Sequence, residues 1–285
     1  MQKAVVTGGT GGIGVEVALE LSRRGYAVTV VGRNPEHGDQ AVARIRDARF
    51  IQADLSVLAE VRALGERLAA EGPLHLLVNN VGGMWSKRWQ TPDGIEASFA
   101  INHLSATVLT ETLLDTLRAG RPSRVIDVTS SSIQAALLTG SPAYDEVETG
   151  EYHGMAATGR AKLAHLAYTL ELARRLRGTG ISVFAADPGA AVTPNAAEMT
   201  PEILPPAMAP RWEQIRQGLQ NPAAHPAAKA ARSVVFAATD PSLNGETGLV
   251  IDPGCSPSDT LTRALTPELM AAANSLTERT LKTSL

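Results

Sequence analysis

Short apolar runs alternate along the chain with stretches whose apolar residues recur at helical spacing. Ala4-Val5-Val6 reads as a short buried strand, and Val15 to Leu21 carries the three-and-four spacing of a helix. Ala27 to Val31 is a second strand, broken by Gly32-Arg33-Asn34-Pro35, and a polar helix follows to about Arg46. Arg49 to Ala53 is a third strand, ending at Asp54-Leu55. Val57 to Ala70 is a helix with Val57, Val61, Leu64 and Leu68 on one face. Leu74 to Val78 is the fourth strand and runs into Asn79-Asn80-Val81-Gly82-Gly83. Asp93 is placed to cap a long helix through Ile101 and Leu109 to Leu117. Val125 to Val128 is the fifth strand, ending at Thr129-Ser130. A helix from Met155 to Leu176 and a sixth strand from Ser182 to Ala186 follow.

The tail is less regular. Pro188 to Pro226 is rich in Pro, Ala and Met, with weak periodicity around Trp212-Glu213-Gln214-Ile215. The part from 190 to 226 reads as a lid or substrate-pocket insertion, or as a loosely ordered surface excursion. Pro226 to Thr239 resumes a helix, Thr247 to Ile251 is a last short strand, and Glu268 to Leu281 is a terminal helix within a helical tail over 262–285. Repeated strand-then-helix units imply one α/β domain over 1–285, a doubly wound parallel sheet of about seven strands with helices on both faces. Ligands bind such sheets beyond the carboxyl ends of the strands. The polar and glycine residues that end the strands here fall in that place.

The densest of these stretches is Thr7-Gly8-Gly9-Thr10-Gly11-Gly12-Ile13-Gly14. A glycine-rich turn between strand and helix lets the backbone approach phosphates closely and take positive φ. The helix that follows offers unpaired N–H groups to an anion. The alternative is a tight strand-to-helix turn without a ligand.

Composition narrows the choice of partner. The 285 residues carry a net charge of −3, so no basic face for nucleic acid is expected. The single cysteine, Cys255, excludes an internal disulfide and a cysteine metal cage. Six histidines lie without metal-ligand spacing, so no metal is expected. No apolar run approaches the roughly 20 residues needed to span a bilayer. The start of the chain enters a strand directly, which leaves no room for a signal peptide. A cytoplasmic protein acting on a small molecule is the expectation. The apolar face of the Met155–Leu176 helix leaves two possibilities open, packing a partner subunit in a homo-oligomer or packing only the sheet.

In order and spacing these motifs resemble the short-chain dehydrogenase/reductase family. Thr7, Gly8, Gly12 and Gly14 match its T-G-x-x-x-G-x-G pattern, with Thr10 and Ile13 inside the loop. Asp54-Leu55 resembles the family's adenine-contacting pair, and Asn79-Asn80-Val81-Gly82 its N-N-A-G segment with Val81 for alanine. Asn102 in I-N-H-L is similar to the helix asparagine of the family's proton relay. Ser130, after V-I-D-V-T, is similar to the catalytic serine, and Lys162, heading K-L-A-H, to the catalytic lysine. Pro188-Gly189 with Thr193 resembles the P-G-x-x-x-T segment at the nicotinamide end. The resemblance covers residues 3 to 252 and implies a Rossmann-type fold and a nicotinamide cofactor. The long insert between Ser130 and Lys162 and the stretch E-L-A-R-R-L-R-G-T-G at 171–180 look most like the retinol-dehydrogenase-like branch.

The end of the second strand bears on the choice of cofactor. An acid there accepts from a ribose 2′-hydroxyl and disfavours a 2′-phosphate. Here Val31-Gly32-Arg33-Asn34 has no acid and one arginine, whose guanidinium suits a phosphate. NADP(H) is therefore expected over NAD(H), the alternative being that Arg33 is a solvated arginine.

One position departs from the pattern. The family has a tyrosine four residues before the lysine, and here Thr158 stands there. A phenol starts near pKa 10 and a neighbouring ammonium can lower it into range. An aliphatic hydroxyl is much less acidic and too short to reach the same oxygen without a water. Tyr144, Tyr152, His153 and Asp187 are alternative acids, although Glu148 rather than lysine follows Tyr144 by four. Lys162 could also donate through water. Trp85, Met199, Met208 and Trp212 could line an apolar pocket for a sizeable hydrophobic substrate. Three readings remain open: an NADPH-dependent carbonyl reductase or alcohol dehydrogenase with an altered proton donor; a cyclase, dehydratase, isomerase or epimerase that keeps the nucleotide; and a nucleotide-sensing scaffold.

Overall fold

The computed structural model describes residues 1–140, 142–147, 150–191, 199–219 and 225–284. Seven parallel strands form one sheet: β1 (Lys3–Thr7), β2 (Ala27–Gly32), β3 (Ala48–Gln52), β4 (Leu76–Asn79), β5 (Ser123–Val128), β6 (Ile181–Ala186) and β7 (Val250–Ile251). Their order is β3-β2-β1-β4-β5-β6-β7. The direction of winding reverses between β1 and β4, and a crevice opens there beyond the strand ends.

Alternate residues of each strand face opposite layers. Val5, Leu77, Val125 and Val183 pack against α3 (Leu58–Ala69), α5 (Ser105–Ala119) and α7 (Gly154–Arg175). Val6, Val78, Ile126 and Phe184 pack against α1 (Gly12–Arg23) and α9 (Ala227–Thr239), with α2 (Pro35–Arg44) at the edge. Burial on both faces is why the inner strands read as continuous apolar runs rather than alternating ones. The last helix, α10 (Pro267–Ser284), lies on α7 and sinks Ala273 and Leu276 into the first of these layers.

Four expectations are revised. Asp93 does not cap the long helix; its carboxylate accepts from Leu58 N at 2.8 Å and caps α3 instead. The long helix is capped three residues later by Glu96, which accepts from Ser98 N at 2.7 Å and Phe99 N at 3.1 Å. It then runs as α4 (Ala97–Phe99), a π-helical turn (Ala100–Leu104) and α5. A short helix, α6 (Ile133–Leu138), follows Ser130 where none was expected. The final strand is shorter than Thr247–Ile251, because Gly248 takes φ +79°. In the 190–226 insertion the described part forms 3-10 turns at Pro201–Ile203 and Pro206–Arg211 and a helix α8 (Trp212–Leu219). Buried Ile203 and Leu204 anchor it.

Removing the α3 cap leaves a helix N–H without its partner, so Asp93→Ala is expected to lower folding stability by about 1 kcal/mol. Urea denaturation of the two chains checks this, with an unchanged midpoint as the contrary result.

Candidate active site

The glycine loop sits at the β1/β4 switch point. Gly8 and Gly12 take φ +64° and +52°, which glycine alone adopts without strain. A Cβ on Gly14 would lie 2.2 Å from Gly8 O, so only glycine lets α1 start this close to the loop. Gly11 caps α1 without a side-chain hydrogen bond, and the first amides of the helix face the crevice. Ile13 anchors the same turn in the core, and Thr10 packs on Gly32, where a Cβ would meet its Oγ1 at 2.7 Å.

A reciprocal clamp fixes this loop to β4. Thr7 Oγ1 accepts from Asn80 N at 3.0 Å and Val81 N at 3.1 Å. Asn80 Nδ2 donates back to Thr7 O at 2.9 Å. On the adenosine side Arg33 is exposed at the end of β2, and its carbonyl accepts from Gln52 Nε2 at 3.1 Å. The Asn34 side chain accepts from His37 N at 3.0 Å and so caps α2. Asp54 holds its own turn through Ser56 N at 2.9 Å, while Leu55 is buried in the core.

At the other end of the crevice Asn102, Thr158 and Lys162 meet the Gly82-Gly83 segment. Asn102, on the π-helical turn, donates from Nδ2 to Gly83 O at 2.9 Å and to Ser98 O at 3.0 Å. Its Oδ1 accepts from Gly83 N at 3.0 Å. The Thr158 hydroxyl donates to the same Gly83 carbonyl at 3.2 Å. Lys162, one turn on along α7, donates to Val128 O at 2.7 Å. Burial pulls its ammonium down to about 8, with the Asp127 carboxylate opposing the fall. A Cβ on Gly82 would lie 2.7 Å from Asn102 Oδ1 and 3.3 Å from Lys162 Nζ, so the chain is held open to the lysine there. Ser130 Oγ accepts from Ser132 N at 3.1 Å, which leaves its own O–H to donate elsewhere. Gly189, at φ +68°, donates to Asp187 Oδ1 at 2.9 Å beside Pro188. Thr193 lies outside the described residues.

These features fit a dinucleotide. The cradle is one that side chains would fill, the amides of α1 suit a pyrophosphate, and the Lys162 ammonium suits ribose hydroxyls at the far end.

The alternative acids separate on contact. Tyr144 is buried in the core and donates to Arg160 O at 2.8 Å, with burial raising its phenol further, so it is not an acid for this site. Tyr152 sits between Ser98 Oγ at 3.2 Å and Trp85 O at 3.3 Å, and burial raises its phenol as well. His153 faces Glu151 at 3.7 Å. The Asp187 carboxyl is raised by burial and, less, by the Asp252 charge. Glu148 lies outside the described residues.

A cavity of about 530 Å³ opens against α7, lined by Leu138, Tyr152, His153, Ala156, Ala157 and Pro205 among others. Helical spacing puts Ala156 and Arg160 on the face away from Thr158 and Lys162. None of Trp85, Met199, Met208 and Trp212 lines it. Trp85 instead packs edge-on against Trp89 at 5.6 Å, so the expected apolar convergence of these four is not formed in this cavity.

Sequence reasoning missed Gly83, Val128 and Asp127. The first two act through backbone carbonyls, which leave no side-chain signal. The third did leave one, an acid inside the apolar run Val125-Ile126-Asp127-Val128.

Comparison with known proteins bears on the family and the fold. A family model described as short chain dehydrogenase matches residues 2–145. The chain is 40% identical to mouse Retinol dehydrogenase 12 over 193 residues, 65% of this chain and 60% of the relative, so it spans well under two thirds of that protein's length. Its structure resembles an uncharacterised protein from Mycobacterium paratuberculosis with a TM-score of 0.76 and 26% identity, covering 99% of this chain and 94% of the other. It also resembles an NAD(P)-dependent gluconate 5-dehydrogenase from Beutenbergia cavernae solved with NADP at low occupancy, with a TM-score of 0.66 and 25% identity over 88% and 94%. The matching family model, the sheet order and the glycine cradle together make the chain a member of the short-chain dehydrogenase family.

Proposed function

We propose that this protein is an NADP(H)-dependent oxidoreductase that interconverts the carbonyl and alcohol of a sizeable hydrophobic small molecule, with Lys162 in place of a tyrosine as the proton source. The observation that carries the reading is the division of labour on α7. Thr158 spends its hydroxyl on Gly83 O, whereas Lys162 keeps N–H groups beyond the one given to Val128 O. The likeness to mouse Retinol dehydrogenase 12 supports a hydrophobic alcohol or carbonyl, and the NADP held by the Beutenbergia cavernae structure supports the cofactor.

When bound, the nicotinamide supplies or accepts the hydride. Ser130 donates its free O–H to the substrate oxygen and stabilises the charge that develops there. Lys162 would hold the ribose and could pass a proton to that oxygen through a water. An acid works best with its pKa near the working pH, and burial brings this ammonium to about 8. Asn102 fixes the Gly83 peptide that walls the site. Arg33, exposed at the end of β2, would meet a 2′-phosphate there. One observation favours the non-redox reading: Asp187 is a buried carboxyl raised towards the proton-holding form, and it could serve as an acid without hydride transfer.

Three outcomes are expected. The chain should oxidise NADPH with long-chain or polyene aldehydes, and Ser130→Ala should lower kcat by about 10²-fold or more, while Thr158→Val lowers it less. Product formed with NADPH unchanged would move the assignment to the non-redox reading. Arg33→Ala should weaken NADPH by about tenfold in a titration and leave NADH nearly unaffected. Equal loss for both would place Arg33 outside the phosphate site. The kcat for reduction should fall with rising pH above about 8, because the proton source is the protonated form of Lys162. A profile flat through that range contradicts the assignment.

A further inference from the structure

Lys162 is a cation held out of water, and its one hydrogen-bond acceptor among the described residues is the Val128 carbonyl, at 2.7 Å. An ammonium in such a place sheds its proton unless an opposite charge stands near. The residue before Val128 is Asp127, 1% exposed in the centre of the sheet. Its carboxylate is held from three sides. Asn79 Nδ2 of β4 donates to Oδ1 at 2.8 Å, and Thr169 Oγ1 of α7 donates to Oδ2 at 2.8 Å. His165 Nε2 lies 3.3 Å from Oδ1, off the line of a good hydrogen bond. Behind it stand His103 Nδ1, 3.3 Å from His165 Nδ1, and Thr277 Oγ1 of α10, 2.6 Å from His103 Nε2.

We propose that Asp127 is a positioning residue for Lys162: an ionised counter-charge, fixed by Asn79, Thr169 and His165, that keeps the Lys162 side chain an ammonium ion at neutral pH. Asp127 is the carboxylate whose charge reaches the lysine, and its donors and His165 keep it ionised despite burial. The other groups facing the pair are accounted for. Burial first, and then the His165 and Lys162 charges, hold His103 well below the usual imidazole range. Burial holds the Tyr168 phenol well above its usual range, and Glu111 beyond it pairs with Arg175. Thr110 occupies Asn79 from the α5 side at 2.9 Å, which orients the amide toward the carboxylate. A neutral group at 127 would leave the lysine with a carbonyl and no counter-charge.

The catalytic consequence rests on the proposed role of Lys162, but the charge coupling does not, and the test separates them. The full chain, labelled with ¹³C,¹⁵N-lysine, is titrated by NMR, and Lys162→Gln is used only to assign the resonance. The Lys162 midpoint is expected near 8 in the parent chain and nearer about 7 in Asp127→Asn. An unmoved midpoint overturns the proposal. If Asp127→Asn does not fold, the parent chain decides. In a second sample labelled with ¹³C-aspartate, its Asp127 Cγ resonance should show a second inflection at the Lys162 midpoint, and its absence overturns the proposal equally. A merely structural Asp127 would move stability and neither titration. A midpoint that moves in a chain that never consumes NADPH refutes the oxidoreductase reading and keeps the coupling. An active chain with an unmoved midpoint does the reverse.

Discussion

The peptide of Gly83 ties the site together. Asn102 takes both its ends, N–H and C=O, and Thr158 takes the same carbonyl from α7. The loop after β4 is thereby fixed to two helices at once, and with it the wall facing Lys162. The π-helical turn at Ala100–Leu104 presents Asn102 at this point, and widened turns of this kind often mark functional sites. At the other end the Thr7 and Asn80 clamp does the same for the glycine loop. The crevice is held by backbone groups bound to side chains.

This explains how threonine can stand where the family pattern has tyrosine. The Thr158 hydroxyl is a latch on the Gly83 carbonyl, and in the reading proposed above the proton comes from elsewhere. Among the titratable groups near the reaction end, burial moves Lys162 and Asp187 in opposite directions, the ammonium down and the carboxyl up. Each is brought nearer to neutral pH. Geometry favours the lysine, because it shares α7 with the latch and stands against Gly82, whereas Asp187 is turned onto Gly189 N.

The sheet was legible because its strands are buried on both faces and read as unbroken apolar runs. The glycine loop was legible because positive φ and close approach demand glycine at Gly8, Gly12 and Gly14. Two of the misreadings come from partners distant in sequence. Asp93 looked like the local cap and serves α3, 35 residues away, while Glu96 does the local work. Tyr144 looked available as an acid, but Arg160 O and the core had already taken it. The short α6 has only 6 residues, nearly all apolar, too short a run to show a helical period. Ser130, Lys162, Asn102 and Thr158 were named from the family resemblance. The meeting of Asn102 and Thr158 at Gly83, and of Lys162 with Val128 O, was not, since backbone acceptors have no letter in the sequence.

The most direct test compares the parent chain with Thr158→Tyr, both given NADPH and a panel of bulky hydrophobic aldehydes and ketones. If Lys162 supplies the proton, the parent chain consumes NADPH on its own, and restoring the phenol only raises the rate. If NADPH is consumed by the tyrosine variant alone, threonine has turned the scaffold away from reduction, and the account given of Lys162 is wrong.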